Sequence, residues 1–244
     1  MSGHSHFATI KHKKALTDAK RSKVFSKVSR LITMAVKEKG GDPETNSQLK
    51  LAIEQAKAAN MPSENVERAI KKGTGELAGE KLEEVSFEAY GPGGIALIIE
   101  GITDNKNRTL GEIRQILNQY GGKLVAEGAV RWMFERKGII TIDLGENLPK
   151  FENKDALELT VIEAGAEDVY PGDGTLDIHT KPENLESVKK SLEGKNISID
   201  SSNLGWTAKE EVAVDEKTNE VCQKIFEAFD ENDSVQQVFS NLKG

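Results

Sequence analysis

Gly138-Ile139-Ile140-Thr141-Ile142-Asp143-Leu144 is the stretch that decides the fold. From Ile139 onward it reads as an alternating strand, buried on one face and open on the other. Downstream, the spacing predicts a helix over 154–164 and strands over 168–170 and 175–179, joined across Gly172-Asp173-Gly174. A helix over 183–192 and a strand over 197–200 complete the run. The order β-α-β-β-α-β is that of the split, ferredoxin-like unit. Many unrelated functions sit on that unit, so it assigns none.

Working outward, the chain after Trp206 predicts a strand over 211–214, a helix over 216–229 and a strand over 235–239. Two strands and a helix bury too little surface to stand alone. They are expected to complete a unit begun upstream by strands at 85–89 and 95–100 and a helix ending at Tyr120, closed by Gly121-Gly122. The expected fold class is therefore α+β multidomain. Residues 77–137 plus 207–244 form a discontinuous α+β domain, and residues 138–206 form an inserted ferredoxin-like domain. Tyr90-Gly91-Pro92-Gly93-Gly94 is a strand-to-strand turn, because a phosphate-cradling loop would open a helix and here a strand follows. Asn107 or Thr109 is expected to cap the helix after Thr103, and Asp230 to Asp233 to be a simple acidic turn.

Residues 1–76 form the third expected unit, a basic arm with a three-helix bundle. Helices are predicted over 18–39, 47–59 with Asn46 as N-cap, and 63–72 with Gly73 beyond the end. In the first, Val24, Val28, Leu31, Ile32 and Ala35 share one face while Lys20, Lys23, Lys27, Arg30 and Lys37 share another. Net charge is −7 overall, yet residues 1–76 hold 15 Lys or Arg against 8 Asp or Glu, so the acidity lies entirely in the remainder. Screening over about 8 Å at physiological salt lets a partner at the arm feel mainly the arm. That segregation points to a polyanion. The candidate nucleic-acid-binding residues are Lys11, Lys13, Lys14, Lys20, Arg21, Lys23, Lys27 and Arg30 for phosphates, with His4, His12 and Phe7 for hydrogen bonds and stacking.

No constellation for catalysis is visible. His179 lies on a predicted strand, and Cys222 shares an apolar helical stripe with Ile225, Phe226 and Phe229, so it is read as packing. A single cysteine excludes an intramolecular disulfide and suits a reducing compartment. With Met1 removed, Ser2-Gly3-His4 has the donor set of a square-planar Cu(II) or Ni(II) site, but polyanion contact accounts for the same histidine. No metal and no cofactor are expected. No apolar run reaches the length of a membrane span, so the chain is expected to be a cytoplasmic, non-enzymatic monomer.

Several blocks resemble the YebC/PmpR family: Gly3-His4-Ser5, Ile10-Lys11-His12-Lys13-Lys14-Ala15, Gly40-Gly41-Asp42-Pro43, Ala58-Ala59-Asn60-Met61-Pro62, Glu67-Arg68-Ala69-Ile70-Lys71-Lys72-Gly73 and Thr103-Asp104-Asn105. The likeness runs from Met1 to the C-terminus, so no transit peptide is expected. It implies a helical bundle, a second α+β domain and a ferredoxin-like third inserted into it. It also implies a transcriptional regulator that binds DNA, or, as in mitochondrial relatives, a translation factor on ribosomal RNA; neither role is enzymatic. The chain departs from the family at His6, usually Lys, Phe7, usually Trp, Thr9, usually Asn, and Ser22, usually Gly. Phe7 keeps a stacking face but lacks the indole N–H. A protein-interaction scaffold whose arm grips an acidic partner is the third reading.

Overall fold

The computed structural model describes residues 18–151, 153–172 and 174–243. Three helices come first: α1 (Asp18–Lys39), α2 (Ser47–Ala58) and α3 (Ser63–Thr74). Their shared core is small, with Val28, Ile32 and Val36 of α1 meeting Leu49, Ala52 and Ala56 of α2 and Ala69 of α3. Asn46 ties it together. Its side chain accepts from the Leu49 N–H at 3.0 Å as the α2 cap and donates to the Ala35 and Gly40 carbonyls, each at 2.8 Å. Gly73 lies inside α3 rather than beyond it, because α1 passes so close that a Cβ there would sit 2.6 Å from the Val36 Cβ. The stop falls instead at Gly75, whose φ of +84° suits glycine.

The chain continues through β1 (Glu83–Tyr90), β2 (Ala96–Thr103), α4 (Lys106–Gln119) and β3 (Lys123–Val125). It then leaves through β4 (Phe134–Asp143), α5 (Leu144–Asn147), α6 (Lys154–Glu163), β5 (Asp168–Pro171), β6 (Thr175–Thr180), α7 (Leu185–Gly194) and β7 (Ser201–Ala208). It returns as α8 (Glu216–Asp230) and β8 (Val235–Ser240). The first sheet has the order β3-β1-β2-β8 and is antiparallel throughout. Residues far apart in sequence thus share one sheet. Phe87, Leu97 and Ile99 on one of its faces pack under Ile113 and Leu117 of α4 and Phe226 and Phe229 of α8.

The second sheet has the order β5-β6-β4-β7, which is the ferredoxin-like arrangement of a β-α-β-β-α-β run. Ile140, Ile142, Leu176 and Ile178 bury one face against Leu157, Val161, Val188 and Leu192 of the helices. The fold class is α+β, with helices first and sheet-containing units after them.

Three further expectations are corrected. The last strand of this sheet is Ser201–Ala208 rather than 197–200, because Ile197 turns into the helix-side core and pairing with β4 starts only at Thr141↔Ser201. The predicted strand at 211–214 contributes one bridge, Val212↔Leu242. Neither Asn107 nor Thr109 caps α4: Asn105 does so, accepting from the Arg108 N–H at 3.0 Å, while the buried Thr109 hydroxyl bonds to that of Thr103 at 2.8 Å.

Candidate nucleic-acid interface

His4, Phe7, Lys11, His12, Lys13 and Lys14 lie outside the described residues, as does the Lys20 side chain. Arg21 is exposed in the first turns of α1. The remaining three candidates do not face outward together. Lys23, Lys27 and Arg30 follow one another at helical spacing on a stripe that meets the end of α8 and the turn after it. Lys23 pairs with Glu231, both side chains being partly exposed. Lys27 is only 2% exposed. Its burial pushes the ammonium below the ordinary lysine value, against the opposing pull of Asp230, Asp233 and Glu231. Arg30 donates to the Ile102 carbonyl at 2.8 Å and to the Ser234 hydroxyl at 3.1 Å.

Lys27 and Arg30, expected to face phosphate, are thus inside the contact between the bundle and the first sheet. The cause is the segment 230–234, which the chain brings back from more than two hundred residues away and lays over this stripe. The turn read as merely acidic is the counter-surface of the basic helix. Magnitudes rank its parts. An exposed ion pair such as Lys23 with Glu231 contributes at most about 1 kcal/mol, whereas removing Arg30 strips hydrogen-bond donors from a part-buried carbonyl and hydroxyl, at about 1–3 kcal/mol. In urea denaturation followed by circular dichroism, Arg30→Ala therefore lowers the midpoint clearly while Lys23→Ala barely moves it. Equal shifts for the two variants would contradict this ranking.

Two further features escaped the sequence reading. Trp132 is 65% exposed; its indole N–H donates to the Ala129 carbonyl at 3.0 Å, and Lys209 Nζ donates to the Trp132 carbonyl at 2.8 Å. An indole face held this way offers a stacking platform to a base. A lone Trp next to Arg131, in the short Gly- and Ala-containing segment 126–131, was the available signal. Trp206 behaves differently, sandwiched by charge: the Arg136 guanidinium lies 4.8 Å from its ring centroid and its N–H donates to Glu100 at 2.7 Å. Among the described residues no cluster of His, Cys, Asp or Glu is placed to hold a metal ion, and Cys222 is fully buried in the core of the first sheet.

Comparison with known proteins covers almost the whole chain. Residues 5–76 match the family profile described as TACO1/YebC protein N-terminal domain, and residues 82–242 match that described as TACO1/YebC second and third domain. A relative from Halothermothrix orenii, named "Probable transcriptional regulatory protein", is 49% identical over 99% of this chain and 95% of its own length. One from Aquifex aeolicus with the same name is 48% identical over 100% and 96%. The crystal structure of a conserved hypothetical protein from Aquifex aeolicus superposes with a TM-score of 0.87 at 47% identity, covering 98% of this chain and 97% of that one. With identity near one half over essentially the full length of these relatives and the two profiles together matching residues 5–76 and 82–242, this chain belongs to the TACO1/YebC family.

Proposed function

We propose that the chain is a nucleic-acid-binding regulator that acts on DNA, gripping the phosphodiester backbone through its N-terminal segment. One observation carries the reading: a net acidic protein concentrates its cations in residues 1–76, with 15 Lys or Arg against 8 Asp or Glu. The phosphate contacts assigned are Lys11, Lys13, Lys14, Lys20 and Arg21, with His4, His12 and Phe7 supplying hydrogen bonds and stacking. Lys27 and Arg30 leave that set, since both are engaged in the contact described above, and Lys23 joins it only by exchanging Glu231 for a phosphate. The acidic bulk of the molecule disfavours indiscriminate binding elsewhere on its surface. The relatives' printed names support regulation of transcription.

Fluorescence anisotropy with labelled duplex DNA tests the assignment. Replacing Lys11, Lys13 and Lys14 together by Gln lowers the slope of log affinity against log salt by about three, one for each phosphate left unneutralised. An unchanged slope overturns it. A labelled ribosomal RNA fragment run in parallel decides between targets, and binding to RNA alone moves the function to the ribosome.

A further inference from the structure

The acidic turn after α8 is held in place by the first sheet and its helices, not by the basic helix that rests on it. The Ser234 carbonyl accepts from the Ile102 N–H at 2.8 Å, and the chain passes so close to β2 that a Cβ at Gly101 would sit 2.3 Å from that oxygen. Asn232 adds two bonds. Its amide nitrogen donates to Glu112 of α4 at 2.9 Å, and its amide oxygen accepts from the Ser234 N–H at 2.9 Å. On this fixed turn Glu231 pairs with Lys23, and Asp230, Glu231 and Asp233 all pull on the Lys27 ammonium.

A second, independent observation concerns how the bundle is attached. Among the described residues its apolar core shares no member with those of the sheets, whereas Ala96, Ile98 and Phe239 of the first sheet join Phe134 and Ile139 of the second in one apolar cluster. The sheets are thus one body, and the bundle meets that body through polar side chains. Besides the contacts of Lys23 and Arg30, the Gln236 amide donates to the Lys27 carbonyl and the Ser47 hydroxyl to Glu186, each at 3.5 Å. Elsewhere the bundle stands off: an open cleft of about 670 Å³, edged by Glu38, Glu84, Glu100 and Asp200, lies between it and the sheet faces that helices leave bare. The covalent tie is the exposed segment 75–81, and beside it Lys37 donates to the Leu82 carbonyl at 3.1 Å. A body hinged at one end, docked by charge on one side and open on another can pivot.

We propose that the turn 230–233 is an autoinhibitory latch that competes with the phosphodiester backbone for α1. Docked, it covers Lys23, Lys27 and Arg30; once the bundle pivots about 75–81, those cations form a second row of phosphate contacts behind the arm. This rests on the chain being a nucleic-acid-binding regulator, as proposed above, and adds what limits its grip. Carboxylate and phosphate oxygens accept the same charge-assisted hydrogen bonds from ammonium and guanidinium groups, so only one of them holds the stripe at a time. The turn prevails in the intact chain because it is tethered, at an effective concentration on the order of millimolar or above. Neutralising its carboxylates reverses the balance. Lys27 would then be buried without those countercharges, and pivoting returns its ammonium to water without unfolding either body.

The test is fluorescence anisotropy of the full-length protein with labelled duplex DNA, comparing wild type with a triple variant, Asp230→Asn, Glu231→Gln and Asp233→Asn. At about 150 mM salt the triple variant binds at least about tenfold tighter, and its slope of log affinity against log salt steepens from about −5 to about −7 as Lys27 and Arg30 reach phosphate. A control variant, Glu183→Gln, Glu193→Gln and Glu210→Gln, removes the same charge at exposed positions elsewhere and leaves the slope unchanged. Adding Lys27→Gln and Arg30→Gln to the triple variant returns the slope to the wild-type value. Should the triple variant not fold, Glu231→Gln with Asp233→Asn, both at exposed positions, steepens the slope in the same direction. A latch variant that binds DNA with an unchanged slope overturns the latch and leaves the grip of the arm standing. So does equal steepening in the control, which would mark net charge alone. A wild-type chain that binds no duplex, or binds it with a flat salt response, overturns the reading beneath and the latch with it.

Discussion

Raising salt from 50 to 200 mM weakens binding of duplex DNA by the intact chain roughly several hundred-fold to a thousandfold. The magnitude follows from counting the cations assigned to phosphate. Lys11, Lys13, Lys14, Lys20 and Arg21 give five contacts, and Lys23 a sixth when it trades Glu231 for phosphate. Each contact releases counterions with a slope of about 0.9, so five or six give a slope near −5. Had all eight cations of the sequence reading reached phosphate, the slope would be near −7 and the loss about ten-thousandfold. The measurement therefore reads two things at once. A slope near −5 agrees with Lys27 and Arg30 staying in the interdomain contact, a slope near −7 means that the bundle swings away from the 230–234 turn on binding, and a flat response removes the polyanion reading.

The second large effect is on stability, at Glu88→Ala. Glu88 is 2% exposed, on the face of β1 that looks toward the second sheet, and its carboxylate accepts three backbone N–H groups: Gly128 and Val130 at 2.8 Å and Arg131 at 3.0 Å. The Arg131 guanidinium is its counterion, with Nε 3.2 Å away. One side chain thereby holds the whole segment that carries the chain from β3 into β4. Removing it strands three donors and a cation, a loss of about 3–5 kcal/mol. That is a large part of a typical domain's stability. Urea denaturation followed by tryptophan fluorescence, with Trp132 in the tethered segment itself and Trp206 on β7, reports it; an unchanged midpoint would contradict this account.

The same carboxylate sets a pH dependence. Burial alone would raise its pKa, but the three N–H donors and Arg131 outweigh burial and hold it below the ordinary value of 4.5. A group lowered on folding stabilises fully above its unfolded pKa, and that contribution disappears as pH falls through the lowered value. Wild-type stability therefore drops below about pH 4.5 more steeply than that of Glu88→Gln, whose side chain does not titrate there.

Much of this was legible in the residues. The alternation after Gly138, the glycine-closed helices and the cap at Asn46 are local signals, and the elements formed close to where periodicity put them. Ser201-Ser202-Asn203 escaped because periodicity reports burial: its polar side chains edge an open cleft instead of a core, so a paired strand carried no strand signature. Asn105 escaped because Asn107 and Thr109 offer equally good capping chemistry two and four residues on, and only the path of the chain selects among them.

By itself the sequence determined which segments are helix or strand, the α+β class and the crowding of cations at one end, since each depends on neighbours along the chain. Tertiary structure alone decided that the basic stripe of α1 lies against residues 230–234, that Glu88 anchors a segment some forty positions away, and that two bare sheet faces enclose an acidic cleft. Those facts depend on which surfaces meet after long loops close. Hydrophobic spacing fixes which face of an element is buried, but carries no record of what buries it.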